Sequence, residues 1–330
     1  MNWESSTGMP LLEVKHLRTH IPVIDGIVRA VDGLDFSLGS HESLGIAGES
    51  GCGKTMVALS IMGLAPFFTK RILQGQVFFK GKDLLKFDNK ELSEIRGNKI
   101  AMIFQEPMTS LNPILTIGTQ ISEIFIRHEG VDQTSAHDKS IEMLGMVSIP
   151  SARKTLGQYP HQLSGGMRQR VMIAMALACR PEILIADEPT TALDSTIQAQ
   201  ILELIKDLQN QVGTSIIFIT HNLGIIAEST QRVIIMYLGQ AVEMGSVFDL
   251  FDRPMHPYTQ ALLNAVPKLG TRSKEGKKRL EEIMGSVPNP VSMPSGCRFH
   301  PRCPKRNRKC EEHEPELWEA GSGHLVRCWL

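Results

Sequence analysis

Gly48-Glu49-Ser50-Gly51-Cys52-Gly53-Lys54-Thr55 fits the pattern G-x-x-x-x-G-K-[ST] in full, and its flanks decide the fold. Ser43–Ala47, just before it, reads as a buried strand, and Lys54–Gly63 reads as a helix. A strand that runs through a glycine-rich turn into a helix is the setting in which this pattern binds phosphate. Its glycines let backbone N–H groups curl around a β-phosphate, and the helix N-terminus adds the positive end of its dipole. Lys54 is suited to bridge β- and γ-phosphates, the Thr55 hydroxyl to ligate Mg²⁺, and Met56 completes the stretch expected around the nucleotide. The competing reading is a chance match in an ordinary turn, and the strand and helix weigh against it.

Outward from this loop the pattern is α/β. Leu11-Val14, Val28-Val31 and Leu34-Leu38 are β-rich runs before it, and Val77-Phe79 and Ile100-Phe104 look like strands after it. From Pro113 to Ala178 the apolar spacing turns helical, as at Ile117, Ile121, Ile124 and Phe125. β character returns at Ile183-Ala186, Ser215-Ile219 and Val233-Met236. A helix from Ser195 to about Val212 lies between the first two, with Ile197, Ile201, Leu204, Ile205 and Leu208 on one face. Strands alternating with helices argue a mostly parallel sheet with a helical insertion. No internal repeat is visible.

Ile183-Leu184-Ile185-Ala186-Asp187-Glu188 is an apolar strand ending in two carboxylates, at the sheet edge where α/β proteins bind ligands. Asp187 suits a Mg²⁺ ion held through its water shell, and Glu188 suits the polarisation of an attacking water. Such a strand is common on its own and gains meaning beside a phosphate loop.

The 330 residues allow one large domain plus a smaller one, or two modest domains. With 35 basic and 35 acidic side chains there is no basic excess, which disfavours nucleic acid as a partner. No apolar run approaches the ~20 residues of a membrane span. Met1 to Pro10 is polar without a basic or apolar region, so no secretory signal and a cytosolic chain are expected. After Leu250 the texture is proline-rich and basic. The run from Arg272 to Arg279 reads as a docking patch or a solvated linker, and Glu275, Glu281 and Glu282 favour the linker.

Cys52 and Cys179 stand alone and read as packing residues, whereas Cys297, Cys303, Cys310 and Cys328 form C-x5-C-x6-C-x17-C. In a cytosolic chain such a cluster points to metal before disulfides. Four thiolates suit Zn²⁺ or an iron–sulfur cluster, and the chemistry alone does not decide between them.

Leu163-Ser164-Gly165-Gly166-Met167-Arg168-Gln169-Arg170, opening a helix, resembles the signature of ABC (ATP-binding cassette) ATPases. Gln105 ends a strand as the family's Q-loop glutamine does, Ala192-Leu193-Asp194 resembles the D-loop, and His221 follows a strand like the switch histidine. The resemblance implies a P-loop NTPase with a RecA-like core, an N-terminal antiparallel β subdomain and a helical signature subdomain at about 107–178. Together these span 10–250, with a small Cys-containing extension at 251–330. It implies ATP and Mg²⁺, with Glu188, His221, Gln105 and Lys54 in catalysis and Thr55, Gln105 and Asp187 near the metal. It also implies a dimer in which each ATP lies between one chain's loop and the other's signature. Ser164 and the Gly165 and Gly166 amides open a helix, so they suit a partner-held γ-phosphate, and Asp194 joins them at that interface.

Pro107-Met108-Thr109-Ser110-Leu111-Asn112-Pro113, Met255–Leu263, Gly285–Pro288 and Pro294–Cys297 are similar to the oligopeptide/dipeptide/nickel importer subfamily, the dipeptide-type subunits especially. That implies an ATP-hydrolysing subunit peripheral to the cytoplasmic side of the inner membrane. Its partners would be two transmembrane permease subunits, a second homologous but non-identical ATPase and, indirectly, an extracytoplasmic solute-binding protein. Di- or oligopeptides are the expected cargo, with nickel or another small solute as the alternative. The four cysteines are then expected to hold a [4Fe-4S] cluster, with Zn²⁺ as the alternative. Two positions depart from the pattern. The family's adenine-stacking aromatic is missing around Thr19, His20 and Ile21, leaving His20 or Ile21 in its place, and Asn222 stands where Asp usually follows the switch histidine. An ABC ATPase of ribosomes or DNA would show two cassettes or a long coiled coil, and a non-hydrolysing cassette would lack Glu188 or His221.

Overall fold

The computed structural model describes residues 9–65, 72–106, 110–191, 193–265, 272–273, 276–277 and 283–330. The polar start before Met9, Pro107–Thr109 of the loop motif, Ala192, and 274–275 and 278–279 of the charge run Arg272–Arg279 lie outside the described residues. Strands follow in chain order: β1 Leu12–Val23, β2 Gly26–Leu38, β3 Ser43–Ala47, β4 Ile72–Phe79, β5 Lys82–Asp83, β6 Ile100–Ile103 and β7 Ile183–Asp187. After them come β8 Ser215–Thr220, β9 Arg232–Tyr237, β10 Gln240–Ser246, β11 Arg272–Ser273, β12 Gly276–Lys277, β13 Trp318–Gly321 and β14 His324–Val326. The chain divides into two compact units, one of Met1–Leu38, Ser43–Leu85 and Ile219–Leu330, the other of Gly39–Glu42 and Lys86–Phe218.

In the first unit, the two β-rich runs expected after residue 27 form the single strand β2, which pairs antiparallel with β1. β4 takes the other edge of β1 and gives the order β2-β1-β4-β5. A second ladder runs β13-β14-β10-β9-β3, parallel only between β3 and β9. All five residues of β3 are buried, because both faces of this strand are covered. A Cβ at Gly45 would lie 2.7 Å from the Ile226 side chain, so glycine there lets the helix Leu223–Ser229 close on β3.

The C-terminal residues belong to this same unit. The β13–β14 hairpin extends the second ladder through Glu243 opposite Val326. Glu243 has no exposed surface, and its carboxylate accepts the N–H groups of Met255 (2.7 Å) and His256 (2.9 Å). His324 Nε2 lies 2.8 Å from the same carboxylate. Burial, with Arg327 nearby, drives the His256 imidazole down to about 3. It is therefore neutral, and its Nδ1 accepts the Tyr258 N–H at 3.0 Å, capping the helix Pro257–Asn264.

The second unit carries the order β8-β7-β6, with β8 belonging to it for most of its length and β6 parallel to β7. Four helices fill the expected helical region: Ile117–Glu129, Gln133–Met146, Ala152–Leu156 and Gly165–Leu177. Thr116, Asp132 and Ser164 cap three of them with side-chain oxygens. Ile117, Ile121 and Phe125 are buried as their spacing predicts, and Ile124 is half-buried. The helix Ser195–Val212 has the expected bounds and buries Ile201, Ile205 and Leu208. Among the described residues, no helix is long and apolar enough to cross a membrane.

Replacing Glu243 by Ala strands three donors inside the first unit. The expected loss is about 3 kcal/mol of stability, read from urea unfolding at neutral pH. A loss below about 0.5 kcal/mol, the range of ordinary surface changes, would show that this carboxylate does not organise the C-terminal segment.

Candidate nucleotide site

β3 ends at Ala47, and the chain then enters a turn that only glycine can make. Gly48, Gly51 and Gly53 have φ of 152°, 79° and 105°. A Cβ at Gly48 would meet the Met236 carbonyl at 2.3 Å, and one at Gly53 would meet the Ala30 carbonyl at 1.9 Å. At Gly51 a Cβ meets nothing within 4 Å, so its backbone conformation alone asks for glycine. Lys54 is buried at the start of its helix, and its ammonium donates to the carbonyls of Gly48 (2.8 Å) and Glu49 (3.1 Å). The Gly239 N–H donates to the Cys52 carbonyl at 2.9 Å and ties the loop to the β9–β10 turn. Cys52 is buried, as a packing residue should be, and burial raises its thiol pKa. Ser50 and Thr55 are exposed and Met56 is half-buried.

Glu49, read as one more cradle residue, has a side chain with a different employment. Arg302 holds it bidentately, Nη1 to Oε2 at 2.6 Å and Nη2 to Oε1 at 3.0 Å. The Glu49 N–H donates to the Tyr258 hydroxyl at 2.9 Å. His221 is exposed just beyond β8, and Asn222 caps the next helix by accepting the Gly224 N–H at 2.9 Å. The departure from Asp there keeps the cap. Thr19 is fully buried with its hydroxyl 2.7 Å from that of Ser60, while the His20 ring lies 3.0 Å from Asp32.

In the second unit, Asp187 is buried at the end of β7 and Glu188 follows with φ 46°. A glutamate in the left-handed region carries a strain of about 1–2 kcal/mol. Two hydrogen bonds from Thr191 hold it, its Oγ1 to Glu188 Oε2 at 2.7 Å and its N–H to the Glu188 carbonyl at 3.1 Å. The buried Gln169 donates to the Pro189 carbonyl at 2.6 Å, so the signature helix fixes the turn after the carboxylate pair. Ser164 Oγ accepts the Met167 N–H at 3.3 Å as the helix cap, with Gly165 exposed beside it. A Cβ at Gly166 would lie 3.1 Å from Ile197, on the helix that Asp194 caps. Gln105 is exposed after β6.

Residues 31–191 match the family model described as ABC transporter, and residues 242–310 match the oligopeptide/dipeptide transporter, C-terminal region. The chain is 52% identical to a probable peptide ABC transporter ATP-binding protein, y4tR, of Sinorhizobium fredii, over 97% of this chain and 94% of that protein. It is 50% identical to the oligopeptide transport ATP-binding protein AppD of Bacillus subtilis, over 97% and 96%. The chain belongs to the ABC transporter family. Its fold is similar to that of the dimeric ATP-binding cassette MJ0796 bound to ADP and Pi, with a TM-score of 0.64 and 28% identity over 72% of this chain and 98% of that one. This family member is an ABC ATPase.

Cys297, Cys303, Cys310 and Cys328 all line one cavity of about 10 Å³ in the first unit. None of the six cysteines is in a disulfide. Burial pushes the Cys297 thiol up to about 11, and the other three cysteines push the same way. By chemistry and convergence the quartet suits a thiophilic centre. The space is that of one water, and among the described residues no three His, Cys, Asp or Glu side chains stand in metal-ligating geometry.

Sequence reading passed over Thr191, Gln169, Tyr258 and Arg302 as supports of the site. Gln169 lay inside a motif, but Arg302 meets Glu49 across 253 residues, and nothing local marks it.

Gly53→Ala is expected to displace the loop, because its Cβ overlaps the Ala30 carbonyl, and to abolish Mg-ATP binding in calorimetry. Gly51→Ala carries only backbone strain, about 1–2 kcal/mol, and should bind measurably. Equal binding by the two variants would contradict this reading of the turn.

Proposed function

We propose that this chain is the ATP-hydrolysing subunit of a di- or oligopeptide importer, with Gly48–Thr55 as the phosphate cradle. The observation that carries it is the positive-φ glycine loop with buried Lys54 at the start of its helix, in a chain similar over nearly its whole length to peptide-transport ATP-binding proteins. The cassette spans 10–250, with the helical subdomain at about 107–178 and the extension at 251–330. Backbone N–H groups of the loop bind the β-phosphate, and Lys54 leaves its two carbonyl acceptors to meet the β- and γ-phosphates. Thr55, Asp187 and Gln105 are the residues that would hold Mg²⁺, which when bound neutralises phosphate charge. Glu188, with Thr191 fixing its carboxylate, orients and deprotonates the attacking water, and His221 contacts the γ-phosphate. Ser164, Gly165, Gly166 and Asp194 serve the nucleotide of a second ATPase subunit. The solved dimer of a similar cassette supports such a pairing.

Partners are a homologous, non-identical ATPase and two permease subunits, with the chain peripheral on the cytoplasmic face of the membrane. A solute-binding protein outside and the permease determine the cargo. Cys297, Cys303, Cys310 and Cys328 hold a [4Fe-4S] cluster, which would cross-link a segment with little core of its own. Convergence of all four on one cavity supports this reading.

In the assembled transporter, Lys54→Ala should abolish Mg²⁺-dependent ATP hydrolysis. Glu188→Gln should retain ATP and slow turnover at least ~100-fold, the lower end for a lost general base. Full turnover in Glu188→Gln would remove that residue from the base role. Anaerobically purified protein should be brown with about four iron and four sulfide per chain, as the cluster type dictates. A colourless preparation with one zinc would replace the cluster by zinc.

A further inference from the structure

The phosphate loop is gripped from outside by a segment at the far end of the chain. Arg302 ends the short helical turn His300–Arg302 and Arg298 lies two residues before it, and both side chains are nearly fully buried, 4% and 6% exposed. Arg298 donates to the Asp32 carboxylate and to the Leu238 carbonyl. Asp32 follows Ala30, whose carbonyl faces Gly53, and Leu238 precedes Gly239, whose N–H holds the Cys52 carbonyl. Arg302 takes Glu49 by both oxygens, and its Nε donates to the Met284 carbonyl at 3.1 Å. Between the two arginines, Phe299 packs at 5.3 Å against both Tyr237 and Tyr258, and the Tyr258 hydroxyl accepts the Glu49 N–H.

This is more than surface pairing. A planar guanidinium that is buried, bidentate and set over the Tyr237 ring, 5.8 Å from its centroid, has little freedom. Its acceptor sits inside the eight-residue loop, one residue after Gly48. A Glu49 carboxylate in this clamp does not approach a phosphate, so the negative charge inside the motif is neutralised and turned away from the anion to be bound. The backbone N–H of Glu49 is directed at Tyr258, which fixes the plane of the first peptide of the turn.

We propose that Arg302, acting through Glu49, is a positioning residue for the phosphate loop, so that the C-terminal segment sets the affinity of the chain for ATP. The inference rests on reading Gly48–Thr55 as the ATP cradle. Without the clamp the loop samples other shapes, and apparent affinity falls by the fraction of time it spends competent. A loop competent about a tenth of the time binds about tenfold more weakly.

The test is Mg-ATP titration of the full chain by calorimetry, with the thermal midpoint of each variant recorded alongside. Arg302→Met keeps the stem against Tyr237 but removes the fork, and Glu49→Gln keeps the shape but removes the charge. Each should raise the Kd about tenfold. The double variant should be no weaker than either single one, because both break the same contact. Arg302→Lys should fall between wild type and Arg302→Met. Where Arg302→Met fails to fold, Glu49→Gln carries the test. Binding within twofold of wild type in Glu49→Gln, or losses that add in the double variant, would overturn the proposal, as would lowered thermal midpoints with unchanged affinity. Wild type and Lys54→Ala separate the two readings. Failure of the wild type to bind Mg-ATP removes the cradle and this proposal together. Wild-type binding that Lys54→Ala abolishes and the clamp variants preserve removes only the clamp.

Discussion

The contact between Gly53 and the Ala30 carbonyl is the constraint on which the first unit turns. A side chain at position 53 would lie 1.9 Å from that oxygen, and the φ of 105° is itself closed to other residues. The loop can therefore take its tight path only if β2 stands where it does, and β2 is placed by its hairpin with β1. Gly48 sets the same condition against β9 through the Met236 carbonyl. Two strands distant in sequence thus fix the curvature of eight residues, and Lys54 spans the result with hydrogen bonds to two of the loop's own carbonyls. A glycine-rich turn at a helix N-terminus can offer backbone N–H groups to an anion.

The second unit solves a parallel problem with different means. Its carboxylate pair is placed by β7, but Glu188 sits in a backbone conformation that glutamate disfavours. Thr191 and Gln169 hold that turn from two sides. Because Gln169 lies on the helix that Ser164 caps, the signature motif and the carboxylate turn are joined by a buried hydrogen bond within this unit. At the other end of the chain, Arg298 and Arg302 fall between Cys297 and Cys303, so whatever fixes those thiols also bears on the residues that grip the phosphate loop.

The fold was legible wherever function rests on contiguous residues. The strand–loop–helix at 43–61 and the helix Ser195–Val212 follow directly from apolar spacing and glycine placement. The two runs read in β2 are one strand because pairing with β1 resumes at Asp32 and Leu34 on either side of Gly33, which takes φ 79° at a register shift. β10 and the C-terminal hairpin escaped notice. Gln240–Ser246 lacks the β-branched run that marks a strand, and its pairing energy comes from β9 and β14. The Arg302–Glu49 pair was invisible for the same reason at larger range. One arginine among many basic residues near the C-terminus carries no local mark of the loop it meets. Convergence of four cysteines was expected from their spacing, whereas their arrangement around a space of about 10 Å³ was not.

Hydrogen–deuterium exchange of the full chain, with and without Mg-ATP, tests most directly the claim that residues 48–55 form the nucleotide site and that the rest of the first unit shapes it. Peptides covering Gly48–Ile61 should exchange more slowly with Mg-ATP present, and those covering Cys297–Cys303 should slow in parallel because they grip the loop. Unchanged exchange at Gly48–Ile61 in the presence of saturating Mg-ATP would contradict the account.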